Sequence, residues 1–172
     1  MGYDLPAAIG AYYGALAVRG EQQRVICIAG DGSIMMNIQE LQTIAHYQLP
    51  IKIFVIDNGG YLSIRTSQNN FFKRLTGEGP SSGVSFPDFS MLANSFGIPS
   101  CKLDGADFEM LIPDIIDSPE PCLCHVIVDE TQQFEPRMSS RKTEDGRIVT
   151  PPLEEMFPFP DREELARNML NS

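Results

Sequence analysis

No stretch of this sequence approaches the roughly eighteen consecutive apolar residues that a membrane-spanning helix needs. The first residues also lack a basic segment followed by an apolar run and a small-residue cleavage site, so no secretory signal is read there. Cations are scarce: 13 Lys and Arg stand against 23 Asp and Glu, a formal net charge of −10. That balance argues against a nucleic-acid partner, because a phosphate backbone needs a basic face. The four cysteines, Cys27, Cys101, Cys122 and Cys124, show neither CxxC nor Cys/His zinc spacing. They lie in or beside apolar runs, with Cys122 and Cys124 on one side of a strand, and read as small core residues. A reducing, cytoplasmic setting fits them. No internal repeat is evident.

What is present is enough for one domain with a real core: 172 residues, 42% of them hydrophobic. Pro6 to Arg19 reads as a small-residue helix stopped by Gly20, with Gly10 and Gly14 spaced to pack against another backbone. Arg24 to Ala29 reads as a buried strand. Asn37 with Glu40 three residues on has the form of a helix cap, and a helix is expected to about Gln48. Ile51 to Ile56 is a second strand. Tyr61 to Phe72 reads as a short helix and loop, and residues 76 to 87 as an unusually long loop. Helices are expected at Asp88 to Phe96 and Asp107 to Ile116, and strands at Ser100 to Leu103 and Pro121 to Val128. Strands that are apolar throughout and alternate with helices imply an α/β fold, a three-layer α/β/α arrangement with a mainly parallel sheet. That domain is expected to span residues 1–129. From 130 to 172 the composition turns to Pro, charge and turns, which reads as an extended tail with one short helix near Arg162 to Met169.

Two strands end in polar glycine turns, Gly30-Asp31-Gly32-Ser33 and Asp57-Asn58-Gly59-Gly60. In open α/β sheets ligands collect outside the carboxyl ends of strands. If the two strands are neighbours, Asp31 and Asn58, 27 residues apart, present two hard oxygens on one rim. Magnesium and calcium take such ligands, and magnesium keeps places for phosphate oxygens. Gly32 and Ser33 offer backbone N–H groups, and glycine lets a phosphate approach closely. A cation bridging to a polyphosphate would let an acidic chain hold an anion. Either turn alone is commonplace; the pair, each behind a buried strand, is not.

GDGS followed by DNGG at this interval resembles the thiamine diphosphate–magnesium motif of thiamine-dependent decarboxylases and synthases. "MGYDLPAAIGA" and "SSRKTEDGRIVTPPLEEMFPF" resemble flanking segments of acetolactate-synthase-like proteins. The resemblance implies a thiamine diphosphate-binding fold and the cofactors thiamine diphosphate and Mg²⁺. It implies that Asp31 and Asn58 ligate the metal by side-chain oxygens and Gly60 by its carbonyl. Gly30, Gly32 and Ser33 then meet the diphosphate, while Tyr61 and Leu62 lie beside the cofactor. Met1 falls where the family places an apolar residue that bends the cofactor, or is only an initiator.

The implied chemistry is decarboxylation of a 2-keto acid such as pyruvate and transfer to a second keto acid. In the family, the activating glutamate belongs to a pyrimidine-binding domain of a partner subunit. The expectation is therefore a C-terminal domain with no catalytic residue of its own, inactive alone. The longer chain would carry pyrimidine-binding and middle domains and form a homodimer or tetramer. Leu62-Ser63-Ile64 and Ser67 depart from the acetolactate synthase pattern, so a related decarboxylase or C–C lyase is an alternative. A non-catalytic Rossmann-like nucleotide-binding or assembly domain is the other, although GxGxxG is missing after the first turn.

His46 reads as a surface group at a helix end. His125 reads as a core histidine with a hydrogen-bonded partner. Arg65, Lys73 and Arg74 read as a solvated face or a cationic rim. The Met35-Met36 pair reads as core packing with some reach toward the cofactor. Ser139 to Lys142 fit either a surface turn or a tail that closes over the site.

Overall fold

A computed structural model describes residues 1–105, 108–143 and 145–169. The chain forms two units, Met1–Thr131 and Gln132–Ser172.

In the first unit, α1 (Asp4–Arg19) is followed by β1 (Val25–Gly30), a helical turn α2 (Asp31–Ile34), α3 (Glu40–His46) and β2 (Ile51–Asp57). Then come α4 (Leu62–Phe71), α5 (Phe89–Ser95), β3 (Ser100–Leu103), α6 (Phe108–Asp117) and β4 (Cys122–Ile127). The four strands form one sheet in the order β1-β2-β4-β3, every pairing parallel. The fold is α/β with a parallel sheet, as the alternation of apolar runs implies.

The sheet's pleat sorts the side chains. Ile51, Ile53 and Val55 of β2 and Leu123 of β4 point to one face, where Leu5, Ala8 and Tyr12 of α1, Leu41 and Ile44 of α3, and Phe89 and Ala93 of α5 cover them. Each fully buried aliphatic side chain there contributes about 1.5–3 kcal/mol. Phe54, Cys124, Val126 and Leu103 point to the opposite face, where Ile112 and Ile115 of α6 pack on them. Cover on both faces holds for the middle of the sheet. The outer face of β1 differs: Ile26 and Ile28 are exposed there, Ile28 by 69%.

Lys52 shares the α6 face, fully buried, and its Nζ donates to the Glu120 carbonyl. Burial lowers its pKa from the ordinary lysine value. Beside it, Cys122 is pushed down to about 7, chiefly by a hydrogen bond from Cys124 and in part by the Lys52 charge.

Several local expectations need correction. Asn37 does not cap a helix: residues Met35–Asn37 form a 3-10 turn, and the Asn37 side chain donates to the Gly2 carbonyl instead. α3 starts at Glu40 without a side-chain cap. Gly10 and Gly14 face open space, with no atom within 4 Å of a Cβ placed on either, so they mark no close backbone packing. Gly20 does stop α1, at φ 72° with its N–H bonded to the Leu16 carbonyl. Asp88 caps α5, accepting from the Met91 N–H at 2.9 Å. α6 is seen from Phe108; Asp107 lies outside the described residues.

The second unit carries more local structure than an extended tail. Strands β5 (Arg141–Lys142) and β6 (Ile148–Val149) pair antiparallel, and a helix α7 (Arg162–Asn168) follows. Buried Glu155 takes Arg141 and Arg162, each at 3.1 Å. Those two cations hold the turn at Glu155 between the hairpin and α7.

Candidate functional site

The register places the two glycine turns side by side. β1 and β2 are direct neighbours, with Gly30 opposite Ile56, so the residue after Gly30 emerges next to Asp57. Asp31 is only 3% exposed. Its Oδ1 accepts the Gly32 N–H at 2.6 Å, and its Oδ2 accepts the Gly60 N–H at 2.9 Å, so one carboxylate ties both turns together. Burial holds the Asp31 carboxyl above the usual carboxylate range and the nearby Asp57 adds to this, against the pull of the two N–H donors. Among the described residues no cation forms an ion pair with it.

Asn58 is 8% exposed, and its Oδ1 is buried with no hydrogen-bond partner. A buried acceptor left unmade costs about 1–3 kcal/mol, so its persistence at a strand tip calls for a ligand. A hard divalent cation suits that oxygen and the adjacent buried carboxylate alike. The residues present therefore fit a metal of the magnesium class.

Gly60 and Gly32 are needed for the shape. Gly60 has φ 151°, and a Cβ there would run into the Glu78 carbonyl oxygen and come within 2.8 Å of an Arg65 nitrogen. A Cβ on Gly32 would strike the Tyr61 ring. Gly30, by contrast, faces open space. Tyr61 stands edge-on to Phe86, and Leu62 is buried at the start of α4. Ser33 is brought to the rim, but its hydroxyl donates to Asp4 at 2.7 Å and accepts the Gly2 N–H at 2.9 Å. It holds the start of α1 against the turn. Met35 packs on the core, while Met36 is half exposed, as is much of Met1.

Two pairs at the rim were beyond the sequence reading. His125 is buried, as expected for a core histidine, and its partner is Asp57: Nε2 to Oδ2, 2.7 Å. Since Asp57 Oδ1 also accepts the Gly59 N–H at 3.0 Å, this pair braces the second turn. Arg65 belongs to neither a solvated face nor an open rim. It reaches inward to the buried Glu78 carboxylate at 2.5 Å and to the carbonyls of Asn58, Gly59 and Glu130. The Glu78 carbonyl in turn accepts the Tyr61 N–H at 2.7 Å. Only the long loop, with its Pro80–Ser82 turn, hinted that residues 76 to 87 had work at the site. His46 is exposed and lies edge-on to Tyr47.

The chain is similar to known proteins over most of its length. The family described as "Thiamine pyrophosphate enzyme, C-terminal TPP binding domain" matches residues 1–126. The acetolactate synthase isozyme 2 large subunit of Escherichia coli K12 is 39% identical over 137 residues, 79% of this chain and 24% of its own length. The acetolactate synthase large subunit of Cyanidium caldarium is 39% identical over 145 residues, 83% of this chain and 24% of its own. The chain thus spans about a quarter of the length of the curated relatives it matches. A solved structure from Mycobacterium smegmatis, described as a candidate thiamin diphosphate-dependent enzyme, superposes with a TM-score of 0.61 at 27% identity. That match covers 75% of this chain and 22% of the other.

Proposed function

We propose, from the premise that this chain belongs to the thiamine pyrophosphate enzyme family as a C-terminal TPP-binding domain homologous to acetolactate synthase large subunits, that it supplies the metal and diphosphate half of the active site of an acetolactate-synthase-like enzyme. The observation that carries this reading is the orphaned Asn58 Oδ1 beside the buried Asp31 carboxylate, on adjoining strand ends.

Asp31, Asn58 and the Gly60 carbonyl are the residues that would hold Mg²⁺. Gly30, Gly32 and Ser33 would receive the diphosphate, and Tyr61 and Leu62 would flank the cofactor. When bound, thiamine diphosphate supplies a thiazolium carbon that acts on a 2-keto acid and serves as electron sink. The chain's own contribution is to bind and orient. The buried carboxylate concentrates negative charge where a cation must sit, and Asp57–His125 and Arg65–Glu78 keep the second turn from relaxing. The remaining machinery, a pyrimidine-binding domain, a middle domain and a second subunit of a homodimer or tetramer, would come from outside these residues. The reaction is decarboxylation of a 2-keto acid such as pyruvate and carboligation to a second keto acid, in the cytoplasm.

Thermal unfolding tests the assignment. Thiamine diphosphate with Mg²⁺ raises the melting temperature of this chain, whereas NAD or ATP does not, because only a ligand of the native state adds stability. Asp31→Ala abolishes the shift. An undiminished shift in that variant overturns the metal assignment.

A further inference from the structure

The face of the sheet beneath α6 brings together three thiols that the sequence keeps apart. Cys122 and Cys124 lie two residues apart on β4 and so share a face, and Cys101 of β3 is the direct register partner of Cys124. The Cys101 thiol donates to Cys124 Sγ at 3.4 Å, and all three sulfurs lie within 4.8 Å of one another. They are free thiols, Cys124 buried and the other two half-buried, so the cluster has a route to solvent.

From this juxtaposition we propose that Cys101, Cys122 and Cys124 form a binding site for a soft, three-coordinate monovalent cation of the cuprous class.

The donor set decides the class. Thiolates select soft ions such as Cu(I), not magnesium or calcium, which take oxygen. An ion about 2.3 Å from each of three sulfurs in one plane holds them about 4.0 Å apart. The observed triangle, with one edge of 3.4 Å and none beyond 4.8 Å, brackets that spacing. Structural zinc wants four protein ligands in a tetrahedron. Among the described residues the cluster offers three sulfurs and no fourth His, Cys, Asp or Glu. Charge is offset in part. Each thiol that ligates gives its proton to solvent, and the negative charge so left needs a counter-ion in a partly apolar site. Lys52, the register partner of Cys122 on β2 and on the same face, supplies one positive charge, so that it and the ion together offset two of the three thiolate charges. The site lies among the opening residues of β4 rather than at the strand ends that carry Asp31 and Asn58, so it is separate from the cofactor rim.

The test is anaerobic titration of the reduced chain with Cu(I) held by bicinchoninate, followed by alkylation and peptide mass mapping. One equivalent of Cu(I) passes to the protein and protects Cys101, Cys122 and Cys124 together, leaving Cys27 of β1 at its metal-free reactivity. That pattern needs no variant. Cys101→Ser, Cys122→Ser and Cys124→Ser each weaken Cu(I) retention by about a hundredfold or more, and Lys52→Gln by about tenfold, on the scale of outer-shell partners. Cys27→Ser changes nothing, and circular dichroism confirms which variants are folded. No transfer of Cu(I) to the wild-type chain, protection that omits any one of the three thiols, or full retention in folded Cys101→Ser overturns the proposal. So does binding of zinc without binding of Cu(I).

Discussion

The guanidinium of Arg65 and the carboxylate of Glu78 meet at 2.5 Å with 15% and 3% of their side chains exposed. The same guanidinium holds the Asn58 carbonyl at 3.3 Å, the Gly59 carbonyl at 3.1 Å and the Glu130 carbonyl at 3.0 Å. One side chain thus gathers the glycine turn after β2, the loop at Glu78 and the exit of β4. The planar fork of arginine can serve several acceptors at once, which a lysine ammonium on a flexible stem cannot reproduce.

Arg65→Ala strands the Glu78 carboxylate and three carbonyls, so it should destabilise the chain by about 3–5 kcal/mol. Arg65→Lys should recover less than half of that. Urea unfolding monitored by circular dichroism reads both. An Arg65→Ala variant as stable as the parent would show that the pair does not hold the turn.

Asn58→Leu should separate stability from binding. Its Oδ1 is already buried without a partner, so removing it leaves the stability of the cofactor-free chain unchanged or raised by about 1 kcal/mol. The melting shift caused by Mg²⁺ and thiamine diphosphate should vanish in the same variant. Asn37→Leu is the contrast, since it forfeits a bond to the Gly2 carbonyl and should lose about 1 kcal/mol.

Gly32→Ala should cost about 1–3 kcal/mol, because the new methyl strikes the Tyr61 ring. In a Tyr61→Ala background the same change should cost less than half as much. The double-mutant cycle by chemical denaturation measures this coupling directly. Additive costs would mean that the ring is not what excludes a side chain there.

Cys27 gives a pH signature. Burial first, and the negative charge of Asp4 second, push its thiol up from 9.0 to about 11. The folded state therefore keeps a proton that the unfolded state has already lost. The stability this represents is complete below pH 9 and is lost as pH rises through about 11. Relative to Cys27→Ala, the parent chain should lose about 2–3 kcal/mol across that window, at 1.36 kcal/mol per unit. Unfolding curves for both proteins at several pH values check it; parallel curves would contradict it.

The strands and the two turns were legible because their signals are local. Val25 to Gly30 and Ile51 to Asp57 are short β-rich runs that lead into glycine-bearing turns, and Ser100 to Leu103 appears as expected. Asp88 declared itself as a cap by the same short-range chemistry. What escaped was set by residues distant in the chain. Asn37 has the form of a cap, yet the Gly2 carbonyl competes successfully for its amide. Arg65 is an unremarkable helix residue until the loop returns Glu78 to it. Cys101 is 21 residues from Cys122, and only the register of β3 against β4 makes them neighbours. Gly10 and Gly14 show the reverse error, a spacing that suggested contact where the fold leaves space.

The strand order has a consequence in time. β1 and β2 are separated by one short crossover, whereas β2 must wait for β4, with Lys52 opposite Cys122, before the sheet can close. Pairings across so long an interval form late, because the intervening loop must first be ordered. The β1–β2 corner that carries Asp31 can therefore form first, but the Asn58 turn gains its His125 brace only when β4 arrives, which is also when the thiol triangle comes into existence. During biosynthesis or refolding, the cofactor rim and the thiol cluster would both wait on the docking of this one strand.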